Sequence, residues 1–416
     1  MSSTKRKQIK VKAVAPKLKL FRANEPLLSV FMWGVNHTVN ELSHVNMRLM
    51  LMPDDFKSYS KIRVDNHMYN KDNMPSRFKV KEYCPIVFKN LRERFGIDDL
   101  DYLNSLTKQQ PIACDSPGRS GARMLMSRDK KFFIKTLVSE EVEMMHHVLK
   151  QYHQHIVESH AHTLLPQYLA MYRLTVNDVE TYIVVMRNVF SPRLSIHKKY
   201  DLKGSTVDRS ASEKERMKDL PTFKDNDFLN DGAKIFIGAD QKRSFLEMLQ
   251  KDVDFLSNLH LMDYSMIVGI HDRDQENESG ISFAMPSGAD EEGEDEDESD
   301  IGVPCMGGGD QADYHYDEED GLGSPPDSPQ PTTPMPQFMG ELDPDLERYG
   351  LHSSEESGKH EIYFMALIDI LTKYGMKKRT AQAAKTVKHG AGAEISTVHP
   401  EQYAKRFMEF ISKCFE

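Results

Sequence analysis

The feature that most constrains this chain is an acidic stretch covering residues 272–320. It holds nineteen Asp or Glu residues and one basic residue, Arg273, among Gly and Ser. Such a composition cannot bury enough apolar surface to offset the chain entropy that folding removes, so it predicts disorder. A run rich in Pro, residues 323–334, follows shortly after it. We therefore expect a disordered acidic and Pro-rich insert over residues 272–345, with folded sequence on both sides.

The rest of the chain is basic. The formal net charge is −10 for all 416 residues and −18 for the acidic stretch, which leaves +8 outside it. A basic body indicates an anionic partner, which could be a phosphate-rich surface, a nucleic acid or an acidic lipid. Residues 1–22 carry eight Lys or Arg and no acid. They predict a disordered tail, which could also help to hold the protein on an anionic membrane.

The composition predicts neither secretion nor a membrane span. The sequence has no run of eighteen apolar residues and no signal-peptide pattern. The four cysteines, Cys84, Cys114, Cys305 and Cys414, are scattered without a C-x-x-C pair. They are expected to be reduced thiols in a cytosolic or nuclear protein.

A candidate catalytic residue lies just before the insert. Apolar residues with helical spacing come first, namely Phe245, Leu246, Leu249, Val253, Leu256 and Leu259. Asp263 follows at a loop position, and residues 266–270 then form an apolar, strand-like run. A kinase presents its catalytic aspartate between two elements in this way, where it orients the attacking hydroxyl. The protein-kinase sequence H-R-D-x-x-x-x-N is absent, and Asp263 could also be an ordinary turn or cap residue.

A second candidate is a lysine in the N-terminal half. Gly118 and Gly121 precede residues 132–136, Phe-Phe-Ile-Lys-Thr, which predict a strand with Lys135 at its end. A hairpin that contains Gly, followed by a strand lysine, is how kinases hold nucleotide phosphates. A plain β-turn also explains the glycines. The helix expected from Ser139 offers a glutamate to pair with Lys135, but the pattern does not indicate which one.

The middle of the chain predicts a nucleotide pocket. Residues 180–186 are rich in β-branched side chains, so we expect a strand. In a kinase, the residues after such a strand, here Arg187, Asn188 and Val189, form the hinge that contacts the purine. Residues 197–205 are basic and end in Gly-Ser. They suit a loop that faces phosphate, with a surface turn as the alternative.

After the insert, an apolar strand is expected over residues 361–371. Asp369 lies inside this run, and a buried Asp needs a cation or a metal as its partner. With a nucleotide present, Asp369 is the expected Mg²⁺ ligand, whereas a structural pair with a lysine is the alternative. Residues 373–388 hold six basic residues and no acid. This segment suits a phosphorylated lipid in a membrane better than a protein serine. A final helix is expected from Pro400.

Together these motifs resemble those of the phosphatidylinositol-phosphate kinase family over nearly the whole chain. The motifs are Phe-Ile-Lys-Thr at 133–136, Arg-Asn-Val-Phe at 187–190, Lys-Tyr-Asp-Leu-Lys-Gly-Ser at 199–205, Met-Asp-Tyr-Ser at 262–265 and Ile-Asp-Ile-Leu at 368–371. The run at 383–396 and Ala381 are similar to type II members, the phosphatidylinositol 5-phosphate 4-kinases.

The resemblance implies an α+β, two-lobed kinase-like fold with an antiparallel sheet and a flat basic membrane face. The N-terminal lobe, with a dimerisation region, would cover residues 23–186. The C-terminal lobe would combine residues 187–271 with residues 346–416, and the second part would contain the activation segment.

The resemblance also implies that the γ-phosphate of ATP is transferred to the 4-hydroxyl of phosphatidylinositol 5-phosphate, giving the 4,5-bisphosphate. ATP and Mg²⁺ would be bound, and the catalytic residues would be Asp263, Lys135 and Asp369, the last as metal ligand. The implied nucleotide-binding residues are Gly118, Gly121, Lys135, Arg187, Asn188, Val189, Lys199 and Ile368. The implied lipid-binding residues are Lys203, Lys377, Lys378, Arg379, Ala381 and Lys385.

Homodimers, and heterodimers with related isoforms, are implied as well. The protein would be cytoplasmic, peripheral on the plasma membrane or on internal membranes, with a possible nuclear pool. Nucleic acid is not expected, since no nucleic-acid motif accompanies the basic charge. Met186 stands where active isoforms of the family look to carry Thr. It motivates an alternative function, a weakly active or non-catalytic phosphoinositide-binding scaffold that heterodimerises with active relatives.

Overall fold

The computed structural model describes residues 23–45, 50–65, 74–114, 121–275, 342–374 and 398–416. The helices are α1 (Pro26–Ser43), α2 (Pro85–Arg94), α3 (Asp99–Thr107), α4 (Ser139–Glu158), α5 (Glu213–Arg216), α6 (Asp225–Asn230), α7 (Ala239–Asn258) and α8 (Pro400–Cys414). The strands are β1 (Tyr59–Asp65), β2 (Arg77–Tyr83), β3 (Ile112–Cys114), β4 (Met124–Met126), β5 (Phe132–Leu137), β6 (Tyr168–Val176), β7 (Val179–Arg187), β8 (Lys198–Leu202), β9 (Thr222–Lys224), β10 (Ser265–Asp272), β11 (Gly350–His352) and β12 (Glu361–Ile368).

These strands form two sheets that divide the chain near Arg187. The first has seven strands in the order β1-β2-β6-β7-β5-β4-β3, and every neighbouring pair is antiparallel. The second has five strands in the order β11-β12-β10-β8-β9, and only the β8–β9 pair is parallel. The predicted α+β fold with an antiparallel sheet is therefore confirmed.

The second sheet joins the two stretches of sequence that flank the acidic insert. Strand β10 pairs with β12 along its whole length, from Ser265 opposite Ile368 to Asp272 opposite Glu361. Both strands are almost completely buried, so their apolar side chains specify the pairing. Loop-closure entropy grows only slowly with loop length, and so a long insert between paired strands costs little stability. The expected insert lies mostly outside the described residues, although its two ends, 272–275 and 342–345, belong to the folded body.

In one half of the first sheet, one face is apolar and the other is polar. In β2, Phe78 and Val80 are buried while Arg77 and Lys79 are exposed, as the two-residue period of a strand requires. Helices α1 and α2 pack against β2 and β6 on the apolar side. The opposite face of β1, β2 and β6 therefore carries the polar residues.

Two amphipathic helices support the second sheet. The buried residues Phe245, Leu249, Val253 and Leu256 lie on one face of α7, which confirms the helix predicted ahead of Asp263. The helix expected from Pro400 is also present as α8, and its buried face contacts α7. Among the described helices, none is both long and apolar enough to cross a membrane.

A charged cluster is buried beneath α1. Glu82 on β2 and Arg92 on α2 are both inaccessible to solvent. The Arg92 guanidinium donates to Asp99 Oδ1 at 3.0 Å and to the Leu169 carbonyl oxygen at 2.9 Å. Burial raises the pKa of Glu82 to about 7, and the nearby positive charge of Arg92 opposes this only in part. The folded state therefore binds a proton at Glu82 more tightly than the unfolded chain does.

We expect Glu82→Gln to change the pH dependence of stability. The pKa of Glu82 is raised from 4.5 to about 7 on folding, so wild type loses stability as pH rises through this interval. The neutral amide removes that loss, and variant stability should gain on wild type by up to about 3 kcal/mol between pH 4.5 and pH 8. Urea unfolding of both proteins at several pH values measures this difference. A difference that does not change with pH would contradict the burial of an ionisable Glu82.

Candidate functional site

The ladder of the second sheet brings Asp263 and Asp369 to the same place. Strand β10 begins at Ser265 directly opposite Ile368, where β12 ends, and each aspartate lies just beyond that end. Pairing resumes further on, since the Met262 amide donates to the Thr372 carbonyl oxygen at 2.9 Å. The two aspartates thus lie in a short interruption of one antiparallel ladder. Both have positive φ, 64° and 57°, which is uncommon for residues other than Gly and often marks a functional site.

Lys135 of the first sheet reaches this pair of aspartates. It lies within β5, and its Nζ is 3.0 Å from Glu141 Oε1 and 3.1 Å from Asp369 Oδ1. Burial lowers the pKa of Lys135, but the carboxylates of Asp369 and Glu141 more than offset this, and the net shift is upward. Lys135 therefore remains a cation, and its ion pair with Asp369 connects the two sheets.

The structure selects Glu141 as the glutamate that sequence reasoning left unassigned. Glu141 lies in the first turn of α4, and its Oε2 also accepts a hydrogen bond from the Val138 amide at 3.1 Å. Both carboxylate oxygens of Glu141 are therefore bonded, Oε1 to the Lys135 ammonium and Oε2 to the Val138 amide. Its position relative to Lys135 follows from the short β5–α4 connection.

Two expectations about local structure were wrong. Asp369 was expected at a buried position inside a strand, but β12 ends at Ile368 and the Asp369 side chain is 58% exposed. Its partner is nonetheless a lysine, because the opposed charges lie across a cleft rather than within a core. Residues 197–205 were expected to be a loop or a surface turn, but Lys198–Leu202 form β8, since they pair with β10.

The loop that does follow β8 begins with Lys203. Leu202 lies opposite Met266 in the β8–β10 ladder, so Lys203 leaves the sheet at the same end as Asp263. The Lys203 ammonium donates to the Asp263 main-chain carbonyl oxygen at 2.7 Å. This contact places a lysine beside the candidate catalytic aspartate and fixes the peptide that follows it.

Asp225 organises this loop and was missed by the sequence reasoning. Its fully buried carboxylate accepts the backbone N–H groups of Lys203, Gly204 and Ser205 at 2.9, 2.7 and 3.3 Å. The other carboxylate oxygen accepts from Arg209 Nε at 2.6 Å. In sequence, Asp225 reads only as an acid in the first turn of a helix, and nothing local links it to a loop twenty residues earlier.

The expected hinge residues take two different roles. The Arg187 guanidinium is buried and donates to Gln167 Oε1 at 2.7 Å, the Asp345 carbonyl oxygen at 2.7 Å and the Phe95 carbonyl oxygen at 2.9 Å. Burial lowers the pKa of Arg187. Its donors therefore join chain segments instead of facing a nucleotide. The Asn188 amide nitrogen Nδ2 donates to the Lys130 carbonyl oxygen at 2.9 Å, which fastens the hinge to the β4–β5 turn.

A buried glutamate from beyond the insert holds the far side of the hinge. Glu347 accepts from Arg193 Nε at 2.9 Å and Nη2 at 2.8 Å, and from Ser191 Oγ at 2.7 Å. A carboxylate and a guanidinium that share two bonds have a defined relative orientation. The segment around Glu347 is therefore bonded to the residues that follow the hinge. Sequence patterns do not reveal this connection.

The remaining candidate residues fall into two groups, those that the structure describes and those that lie outside the described residues. Val189, Lys199 and Ile368 are half-buried on the hinge, on β8 and at the end of β12. Gly121 is exposed just before β4, with a φ of +66° that favours Gly. The residues that lie outside the described part are Gly118, Lys377, Lys378, Arg379, Ala381 and Lys385, together with the tail 1–22.

Two lobes with a strand lysine, a helix glutamate and two loop aspartates at their cleft define a kinase-like phosphotransferase. Comparison with known proteins assigns the family. Residues 105–414 match the family model described as phosphatidylinositol-4-phosphate 5-kinase, and the chain belongs to this family of phosphatidylinositol-phosphate kinases.

Several curated relatives match nearly the full length of the chain. It is 60% identical over 401 residues to human (Homo sapiens) phosphatidylinositol 5-phosphate 4-kinase type-2 beta, covering 96% of this chain and 92% of the relative. It is 58% identical over 412 residues to the type-2 alpha enzyme of Gallus gallus, covering 99% and 96%. The corresponding values for the human type-2 alpha enzyme are 57% over 411 residues, 98% and 96%.

Proposed function

We propose that this protein transfers the γ-phosphate of ATP to the 4-hydroxyl of phosphatidylinositol 5-phosphate, giving phosphatidylinositol 4,5-bisphosphate. The proposal is carried by the position of the Lys135 ammonium between Glu141 and Asp369, at 3.0 and 3.1 Å. The pair of Lys135 with Glu141 is one that an active kinase requires, and Asp369 beside it stands where a metal-binding aspartate is needed. The names of the near full-length relatives support the lipid substrate and the position phosphorylated.

The residues divide the chemistry among them. Asp263 orients the inositol hydroxyl and accepts its proton while the oxygen forms a bond to the γ-phosphorus. The bond between that phosphorus and the bridging oxygen breaks, and ADP carries the released charge. Lys135 neutralises charge on the nucleotide phosphates, and Glu141 holds the lysine in place. Such a transfer depends on positioning and electrostatic stabilisation more than on covalent chemistry.

Asp369 is the proposed ligand of Mg²⁺. Its carboxylate is 58% exposed and faces the cleft beside Lys135, which suits a hard cation shared with phosphate oxygens. The described residues contain no group of three or more His, Cys, Asp or Glu side chains that could hold a metal alone. Magnesium in kinases is bound by one or two carboxylates plus substrate phosphates, so Asp369 fits this ion. When bound, Mg²⁺ would offset the negative charge of the phosphates.

The other candidate residues take supporting roles in the proposal. Asn188, Val189, Lys199 and Ile368 line the nucleotide pocket, with Gly118 and Gly121 near the phosphates. Arg187 supports the pocket from behind through its contacts with other segments. Lys203 binds headgroup phosphate together with the basic residues Lys377, Lys378, Arg379 and Lys385. Ala381 belongs to the same lipid-binding segment of the sequence.

The test of the function is phosphate transfer from radiolabelled ATP to vesicles that contain phosphatidylinositol 3-, 4- or 5-phosphate. We expect labelling of the 5-phosphate alone, with the product identified as the 4,5-bisphosphate. Preference for the 4-phosphate would overturn the assigned substrate. Transfer no faster than the background of an Asp263→Asn variant would leave the scaffold function instead, for which Met186 is the motivating residue.

We further propose that one face of the first sheet binds anionic membranes. Lys61 lies opposite Lys81, Arg63 opposite Lys79, and Lys81 opposite Arg173. Like charges in directly opposed positions destabilise a sheet, and so an anionic partner would relieve the repulsion. Burial and then the charges of Arg173 and Lys61 lower the pKa of Lys81, which reflects this crowding.

The double variant Lys61→Thr, Lys79→Thr should bind vesicles that contain acidic lipid more weakly. Both lysines are exposed, and each is expected to contribute about 1 kcal/mol near an anionic surface. The loss should grow as salt is lowered, because screening then hides less of it. Co-sedimentation with acidic and with neutral vesicles measures the effect. Unchanged affinity for acidic vesicles at low salt would show that this face is not the contact.

We also propose that the protein forms homodimers through its N-terminal region, and heterodimers with related isoforms. Strand β1 lies at the end of the strand order in the seven-stranded sheet, so its outer edge can pair with another strand. Light scattering after size-exclusion chromatography should give twice the mass of one chain. The mass of a single chain at micromolar concentration would contradict the dimer.

A further inference from the structure

The helix α8 touches the catalytic loop through a tyrosine. Tyr403 on α8 is completely buried, and its hydroxyl donates a hydrogen bond to the Tyr264 main-chain carbonyl oxygen. The ring of Tyr264 packs edge-on against Tyr403 and Phe407, with centroids 4.9 and 5.2 Å apart. The residue after Asp263 is therefore held both by its side chain and by its backbone.

Two consecutive carbonyl groups at this point are bound by side chains from different elements. Lys203 Nζ donates to the carbonyl oxygen of Asp263 at 2.7 Å, and Tyr403 donates to that of Tyr264. The backbone between them is unusual, because Asp263 has a φ of +64°. A non-Gly residue in this region costs about 1–3 kcal/mol and persists only where surrounding contacts hold it. These two hydrogen bonds are contacts of that kind.

The same helix also supports the Lys203 loop. A Cβ added to Gly204 would lie 3.1 Å from both the Arg406 carbonyl oxygen and the Phe407 Cα. Gly204 also has a φ of +66°, so a side chain there would be strained as well as crowded. Helix α8 thus contacts both the loop that contains Asp263 and the loop that contains Lys203.

We propose that Tyr403 is a positioning residue for phosphoryl transfer, acting by fixing the backbone that presents Asp263. The inference rests on the proposed function, because it concerns the geometry of the proton acceptor in that reaction. Tyr403 touches neither substrate in this role. It acts through the Tyr264 carbonyl oxygen, and a displacement of about 1 Å at a reacting group can lower a rate about 100-fold.

The hydroxyl of Tyr403 keeps its proton throughout the usable pH range. Burial raises the pKa of Tyr403 well above its ordinary value, and the charge of Asp263 adds to the effect. The hydrogen bond is therefore present at every pH at which the enzyme is assayed. A loss of rate in Tyr403→Phe should be the same across the pH–rate profile.

The test compares Tyr403→Phe with Tyr152→Phe. The Tyr152 hydroxyl is also buried; it donates to the Pro166 carbonyl oxygen at 2.7 Å and accepts from the Tyr168 amide at 3.2 Å, and neither partner belongs to the Asp263 loop. Tyr403→Phe loses the bond to the Tyr264 carbonyl oxygen and should lose about 1 kcal/mol of stability, whereas Tyr152→Phe loses two buried hydrogen bonds and should lose at least as much. We expect kcat to fall about 10- to 100-fold in Tyr403→Phe only, with KM for ATP and lipid nearly unchanged.

Hydrogen–deuterium exchange provides a second readout that does not need turnover. Amides of residues 262–266 should exchange faster in Tyr403→Phe than in wild type or in Tyr152→Phe. Equal kcat and equal exchange in the two variants would overturn the role of Tyr403. If wild type itself transferred no phosphate to any lipid, the proposed function would fail, and that result is distinct from an active wild type with an equally active Tyr403→Phe.

Discussion

Asp263→Asn should lower kcat for lipid phosphorylation by about 10²- to 10⁴-fold, the contribution typical of a general base. The amide has nearly the same shape as the carboxylate but cannot take the proton of the inositol hydroxyl. Asn also tolerates positive φ, so the backbone at this position, with φ at 64°, is preserved. KM for ATP should therefore change little. The measurement is steady-state transfer to phosphatidylinositol 5-phosphate vesicles.

Asp272→Asn is the matched control, because Asp272 lies at the opposite end of the same strand, β10. This variant should retain wild-type kcat, and circular dichroism should show both variants folded. An Asp263→Asn enzyme with more than about a tenth of wild-type kcat would mean that another group accepts the proton. The assignment of Asp263 as the catalytic residue would then be wrong.

Asp225→Asn should destabilise the protein by about 3–5 kcal/mol, the cost typical of breaking a buried ion pair from one side. The carboxylate is fully buried and pairs with Arg209 at 2.6 Å. Burial lowers the pKa of Arg209, but Asp201 and Asp225 more than offset this, and Arg209 remains charged. The neutral amide would leave that charge with one partner fewer. The amide has a single oxygen, so its NH2 group would point donors either at the backbone N–H groups or at Arg209 Nε, all of which donate to the carboxylate in the wild type.

The measurement is the midpoint of urea unfolding, accompanied by kcat, because the same carboxylate holds Lys203 beside Asp263. Adding Arg209→Met to Asp225→Asn should recover part of the lost stability, since the largely buried guanidinium that has lost one of its two carboxylate partners is then removed. Asp240→Asn is the surface control, with an expected change within about 0.5 kcal/mol, because Asp240 is exposed and its ion pair is with the exposed Arg243. A similar small change in Asp225→Asn would show that the loop does not depend on this carboxylate.

The candidate site was accessible to sequence reasoning where chemistry and local pattern coincide. Lys135 lies in an apolar strand, and Asp263 lies between a helix and a strand, so residue type and periodicity indicate both. The sequence also indicated Asp369 but predicted it to be buried. It is exposed because β12 ends at Ile368, opposite the first residue of β10, and the sequence does not show where that pairing stops. Residues 199–202 read as a basic loop because their partner strand β10 lies more than sixty residues later.

The supporting residues could not be found in this way. Three of them, Asp225, Glu347 and Tyr403, act on partners that they contact only in the folded chain. For Glu141 the sequence offered a pair with Lys135 and left open only which glutamate makes it. The Tyr403 hydroxyl bonds to a residue 139 positions earlier, and Glu347 to Ser191 across 156 positions. In sequence each of them is an ordinary helix or loop residue. No local propensity distinguishes them from neighbours that face solvent.

The sequence by itself indicated several of the elements, the division of the folded body by an acidic insert, and the identity of the three groups proposed for the chemistry. Those properties depend on composition and on the spacing of apolar residues, which act over a few turns or a single strand. Only the tertiary structure decided how the groups meet. The contact between Lys135 and Asp369 spans 234 positions and exists because strand pairing and buried carboxylates hold two sheets in register. Distance along the chain carries no information about such contacts, since packing sets them.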